Sequence, residues 1–141
     1  MAALSFRQAR KADAAFFIRL EERCMRGYAE ALWGEWRPSA NPGSFDPLGM
    51  RVILAEGQEA GVLAVRIEAD QLRVEKLYVA PGWQGRGIGA WALRQAIAEA
   101  LALRLPVRLT VLTTNPARRF YEREGFVLEG ETPERWTMVR R

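Results

Sequence analysis

Between Arg51 and Leu103 the hydrophobic pattern changes period once, and that change fixes the class of fold. Three strand-like segments come first: Arg51–Ala55, Gly61–Glu68 and Leu72–Val79. Glu56-Gly57 and Ala69-Asp70 between them are turn signals, and links this short favour an antiparallel meander. After Pro81-Gly82, residues Ile88, Ala92, Leu93, Ala96, Ile97, Ala100 and Leu101 recur at helical spacing, so Gly87 to about Leu103 is an amphipathic helix. A strand over Pro106–Leu112 then completes a strand–helix–strand crossover. Antiparallel strands followed by a crossover give an α+β (mixed α/β) fold on one mixed, largely antiparallel sheet.

The flanks extend this sheet. Leu4–Ala9 reads as a first strand. Asp13 reads as the N-cap of a helix from Ala14 to about Met25, with Phe17, Leu20 and Cys24 on its apolar face. A second helix is expected around Tyr28–Trp36, ended by Pro38 and the Pro- and Gly-containing stretch to Asp46-Pro47. After the crossover, Pro116–Glu124 reads as a short helix, and Phe126–Glu131 and Arg135–Val139 as strands. The expectation is six to seven strands and about four helices. With 141 residues, no internal repeats and no low-complexity segment, residues 1–141 are expected to form one domain. No apolar run approaches the roughly 20 residues that span a bilayer. The first residues lack the pattern of a secretory signal, and a lone cysteine, Cys24, makes no internal disulfide. A cytoplasmic protein without membrane attachment is expected.

Histidine is absent, which removes Ser-His-Asp triads, Cys-His pairs and His-based metal sites. With one cysteine there is no thiolate zinc site either, so no metal is expected. Any chemistry must run on carboxylates, tyrosine hydroxyls, backbone amides and cations. The net charge of +4, carried mostly by arginine, favours anionic partners. The arginines are scattered, and no helix-turn-helix, zinc finger or RNA-recognition aromatic motif accompanies them, so a nucleic-acid partner is not expected.

The segment Val79-Ala80-Pro81-Gly82-Trp83-Gln84-Gly85-Arg86-Gly87-Ile88-Gly89 carries the functional signal. A strand ends, glycines alternate with other residues, and a helix begins. Glycines allow the tight turn and bring successive N–H groups together. The first helical amides lack intrahelical partners, and the helix dipole favours an anion there. The result is a phosphate cradle with Arg86 as a counter-charge. A P-loop is excluded, because Gly-Lys-Ser/Thr is missing. Gly85, Gly87 and Ala90 formally meet the dinucleotide pattern, but that unit wants an acid about 20 residues on. No Asp or Glu lies between Glu99 and Glu122, and too little chain follows for a Rossmann sheet.

In context the loop says more. Gln84-x-x-Gly87-x-Gly89, after a strand ending Leu77-Tyr78-Val79, resembles the acyl-CoA pyrophosphate loop of the GNAT superfamily of N-acetyltransferases. Asn115-x-Ala117-x-x-x-Tyr121 followed by Gly125-Phe126 resembles that family's second signature, at the expected distance. The resemblance covers nearly the whole chain. It implies acetyl-CoA, or coenzyme A as product, as the acyl donor co-substrate, and transfer of an acetyl group to a primary amine. It implies that backbone groups of Leu77 and Val79 pair with the pantetheine arm, on a strand splayed from its neighbour. The loop Gln84, Gly85, Arg86, Gly87, Ile88 and Gly89 would hold the pyrophosphate, and Asn115 and Ala117 would bind the cofactor from the next helix. Tyr121 is placed by the resemblance near the sulfur, as the acid that protonates the leaving thiolate. A phenol near pKa 10 is a suitable donor to a thiolate near 8.5. Core packing is the plainer account of Tyr121.

An ammonium acceptor must lose a proton before it attacks a thioester, so a base is needed. Glu75, four residues before Val79, stands where many family members carry a glutamate base; the plainer account is a solvated strand residue paired with Arg73 or Lys76. The acceptor pocket is expected from the first two helices, the following loop and the C-terminal strand pair. Trp33, Trp36, Phe45 and Trp136 are candidate linings, and Glu30, Glu35 and Asp46 candidate cation attractors. Small-molecule and peptide amines both suit this architecture, and a homodimer is compatible with it. Two competing expectations remain: an acyl-CoA-binding module without catalysis, and a basic nucleic-acid-binding protein.

Overall fold

The elements follow in the order β1 (Leu4–Gln8), α1 (Ala14–Trp33), β2 (Met50–Ala55), β3 (Gln58–Ile67) and β4 (Leu72–Val79), then α2 (Ile88–Ala102), β5 (Val107–Leu112), α3 (Arg118–Arg123), β6 (Val127–Glu131) and β7 (Arg135–Arg140). They are taken from a computed structural model that describes residues 3–141. The seven strands make one sheet in the order β1-β2-β3-β4-β5-β7-β6. All neighbours are antiparallel except β4 and β5, the two strands joined through α2.

Side-chain alternation assigns the faces. Val52, Val62 and Ala64 meet Phe17 and Leu20 of α1, while Ile53 and Ala55, one residue out of phase, meet Ile88 and Ala92 of α2. The two long helices therefore cover opposite faces of the sheet. This explains why Ala60–Val65 is buried without interruption. The lower half of α2, from Leu93 to Ala100, packs on Leu72, Val74, Leu109, Val111 and Met138.

The strand and crossover expectations agree with the structure to within a few residues at element ends. The helices differ. The expected helices over Ala14–Met25 and Tyr28–Trp36 are one continuous helix, so among the described residues the sheet carries three α-helices rather than about four. Gly27 lies inside α1, where a glycine costs about 1 kcal/mol relative to alanine. Arg26 pairs with Glu22 at 2.7 Å and Glu30 at 3.3 Å, each four residues away, and the second of these bridges spans the glycine. The helix ends at Gly34, whose φ of 76° and N–H bond to the Glu30 carbonyl form a left-handed cap.

Candidate active site

The parallel pair β4–β5 is joined only at its start. Leu72 and Arg73 pair with Val107 and Arg108, and beyond them the two strands have no mutual register. The cause lies on the other edge of β4. Ala64 faces Lys76 and Val65 faces Val74, which leaves Glu75 as the extra residue of a β-bulge. A bulge bends its strand and adds local twist, here directly after the last β4–β5 pair. The strands splay apart and open a cleft of about 730 Å³.

Backbone alternation decides what β4 offers that cleft. The Ala80 N–H bonds to the Ala60 carbonyl, so Ala80, and with it Tyr78, turn their backbone groups to β3. Leu77 and Val79 turn theirs the other way, into the splay. The Val79 carbonyl already accepts the Gln84 side-chain amide at 2.8 Å and the Cys24 thiol at 3.3 Å. Burial pushes that thiol's pKa up.

The glycine loop follows at the end of β4. Pro81–Trp83 form a single 3-10 turn, then Gly85 and Gly87 take φ values of 76° and 78°. Such φ values strain any residue with a Cβ. Gly87 is the N-cap of α2 and has no side chain to cap with, so the helix opens with its first-turn amides free of any side-chain partner. Arg86 lies with its guanidinium 5.0 Å from the Trp83 ring centre.

Compared with sequence profiles of known families, residues 49–128 match the acetyltransferase (GNAT) domain. The chain belongs to this family. It is an acetyltransferase of the N-acetyltransferase class. Solved structures share its fold. The PaiA N-acetyltransferase of Thermoplasma acidophilum, solved with coenzyme A, has a TM-score of 0.75 at 16% identity, over 99% of each chain. Naa50 of Arabidopsis thaliana, solved with the bisubstrate analogue CoA-Ac-MVNAL, has a TM-score of 0.71 at 17% identity, over 98% of each chain. The ribosomal-protein-S18-alanine N-acetyltransferase of Escherichia coli has 0.75 at 17%, over 98% of this chain and 93% of the other. No curated protein matches this chain by sequence.

In this GNAT domain the expected residues gather unevenly. Glu75, Leu77, Asn115 and Tyr121 line the cleft. Tyr121 packs edge-on against Phe120 and Phe126, and burial pushes its pKa up to about 12. It is therefore both a packed aromatic and a protonated phenol at the cleft wall. Glu75 is exposed, and its expected partner Arg73 or Lys76 is replaced by Arg66, at 3.8 Å. The Asn115 carboxamide oxygen accepts the Ala117 N–H at 2.9 Å. That amide is thus engaged within the protein, and so is the Ala117 carbonyl, which accepts from Tyr121 N–H. Ile88 is a core side chain, so only its amide faces outward chemistry. A Cβ added at Gly89 would meet Val79 and Phe120 only at ordinary contact distance.

Of the candidate pocket aromatics, Trp33 and Trp36 line the cleft, as does Glu35. The others do not. Phe45 is buried against Phe17, Trp136 faces a separate hollow beneath Arg118, Glu30 pairs with Arg26, and Asp46 accepts the Leu48 N–H.

Sequence reasoning expected the first helices and Trp33 at the pocket but missed the rest of the α1 stripe. Glu21, Met25, Ala29 and Trp33 recur every four residues and present one stripe to the cleft. Glu21 is the centre of a buried network. Its carboxylate accepts the Ser39 N–H and hydroxyl, the Lys76 ammonium at 3.2 Å and the Tyr78 hydroxyl at 3.1 Å. Burial pushes its pKa up, but the Ser39 amide, Lys76 and the Ser39 hydroxyl outweigh that and hold it below the usual carboxylate value. Burial, and next the Glu21 charge, push the Tyr78 phenol well above its ordinary value. Four accepted bonds and a depressed pKa make Glu21 a weak base; it ties α1, the following loop and β4 around the cleft. Thr114 adds a second tie, donating to the Tyr28 carbonyl at 2.8 Å.

Among the described residues, no group of three or more His, Cys, Asp or Glu side chains is placed to hold a metal ion, and no helix is long and apolar enough to cross a membrane.

Proposed function

We propose that this chain is a single acyltransferase domain that moves an acetyl group from acetyl-CoA to a primary amine by direct attack. The observation that carries the reading is the splay of β4 from β5, which turns the backbone of Leu77 into an open cleft beside an uncapped helix start. β1 and α1 lie outside the matched family segment but share its sheet and core, which supports one domain over the whole chain.

The co-substrate supplies an activated thioester. Free strand groups at Leu77 suit the amides of a pantetheine arm. The Val79 N–H suits them too, while its carbonyl is shared with Gln84 and Cys24. The backbone amides from Gly85 to Gly89 suit a pyrophosphate, assisted by the α2 dipole and Arg86. Gln84 contributes by tying the loop to Val79 through its side-chain amide rather than by a side-chain contact with the cofactor. Asn115 keeps its side-chain N–H groups for the cofactor, while Ala117 serves by fixing Asn115.

Glu75 at the bulge is the group to take the amine proton, directly or through water. Tyr121, protonated well past neutral pH, is the group to return a proton to the departing thiolate. The free thiol of Cys24 fits a reducing, cytoplasmic setting.

The test is amine-dependent thiol release from acetyl-CoA across a library of primary amines, with Glu75→Gln and Tyr121→Phe beside the wild type. Turnover that falls about a hundredfold or more in each variant supports the roles. Saturable acetyl-CoA binding without turnover of any amine would make the chain a binding module instead.

A further inference from the structure

Six charged side chains line the cleft: Glu21, Glu35, Arg37, Glu75, Lys76 and Arg135. Five of them are matched by an opposite charge. Glu21 pairs with Lys76 at 3.2 Å, Glu35 with Arg37 at 2.6 Å, and Glu75 with Arg66 at 3.8 Å. Among the described residues Arg135 alone of the six has no carboxylate partner. Its side chain is exposed and rests against a neighbouring ring. The guanidinium lies 5.2 Å from the Trp33 ring centre, and the Trp33 indole N–H donates to Glu134, the neighbour of Arg135 on the approach to β7. The end of α1 and the start of β7 are thereby clamped, with one unmatched cation between them.

A second unmatched donor lines the same end. The indole N–H of Trp36 is buried and meets no protein acceptor. A buried unpaired donor is costly, but this nitrogen has under 1 Å² of exposed surface, so an oxygen acceptor meets it only once the Trp36 ring turns toward the cleft. These groups stand at the end walled by α1, its following loop and β7. None of Gln84–Gly89 lines this cleft, so they are separate from the glycine loop.

We propose that the acceptor amine carries a carboxylate, that Arg135 receives it, and that the Trp36 ring turns to add its indole N–H. An unmatched guanidinium in a concave site selects an anion, and its planar fork fits a carboxylate with two parallel bonds. A simple alkylamine or a polycationic amine would leave Arg135 unmatched or repelled. The inference rests on the acetyl-transfer reading and narrows its substrate class. The carboxylate has two sources, the α-carboxylate of a free amino acid or an acidic side chain near a peptide N-terminus.

The experiment measures thiol release from acetyl-CoA with matched acceptors: free amino acids against their α-amides, and short peptides with Glu against Gln at the second position. Acetyl-CoA binding is measured separately by calorimetry. The expected result is a kcat/KM about ten- to hundredfold higher for the acid member of one pair series, and that series names the source. Arg135→Ala should erase the ratio mainly through KM, Arg135→Lys should restore part of it, and Trp36→Phe should reduce it, all with unchanged acetyl-CoA affinity. Equal rates for acid and amide in both series, or turnover confined to amines without a carboxylate, overturn the proposal while leaving acetyl transfer intact. Absence of acetyl-CoA binding overturns both readings.

Discussion

Glu21 is the residue whose removal should cost this fold most for a single carboxylate. It is 3% exposed and lies against Lys76, Tyr78 and Ser39. Glu21→Ala leaves the Lys76 ammonium beside Phe17 without its counter-charge. Breaking a buried pair in this way costs about 3–5 kcal/mol. The Lys76 side chain is 27% exposed and Ser39 is exposed, so water recovers part of this and about 3 kcal/mol is expected. Unfolding entropy of roughly 2.1 cal/mol/K per residue over 141 residues is about 0.3 kcal/mol/K, so Tm should fall by about 10 °C. Lys76→Met relieves the unmatched charge, and the double variant should be more stable than the sum of the singles by at least about 1 kcal/mol. Urea denaturation followed by circular dichroism reads all four proteins. Because the folded pKa of Glu21 is depressed, its stabilisation is complete above the ordinary carboxylate value of 4.5 and fades as pH falls through the folded value. The gap between wild type and Glu21→Ala should therefore close in acid. Additive single effects within about 0.5 kcal/mol, or a gap that persists at pH 2, would refute the pairing.

Gly61→Ala should destabilise by about 2 kcal/mol or more, because its Cβ would stand 2.2 Å from the Tyr78 carbonyl oxygen and push β3 from β4; thermal unfolding checks it. If Tyr121 is the acid, wild-type activity should hold through pH 10, since its proton leaves only near 12, and an activity profile that breaks at lower pH from loss of an acid would assign that role elsewhere.

How far the chain could be read depends on where each feature is encoded. The β4–loop–α2 unit was legible because local rules determine it: alternation in Leu72–Val79, glycines at two positive φ positions, and helical spacing from Ile88. Asn115 and Tyr121 were picked out by the signature Asn115-x-Ala117-x-x-x-Tyr121, and both line the cleft, Asn115 from the turn before α3 and Tyr121 from α3 itself. α1 was misread at Gly27, whose cost is offset by ion pairs that a propensity argument does not count. The bulge at Glu75 left no mark in the sequence, since it arises from the pairing of β4 with β3. Nor did the Glu21 network, whose members lie in α1, a loop and β4 and meet only in the folded chain. Phe45 and Trp136 show the converse: aromatic character alone does not say which side of a sheet a residue faces.

The most direct test is a calorimetric titration of the purified protein with acetyl-CoA, coenzyme A and its dephospho form, with Gly87→Glu alongside. The variant places a Cβ at a φ of 78° and a negative charge at the start of α2. Saturable one-to-one binding to the wild type that is lost in Gly87→Glu, with the variant still folded, is the predicted result. No binding to the wild type at millimolar ligand would contradict it, and the glycine loop would then be only a turn.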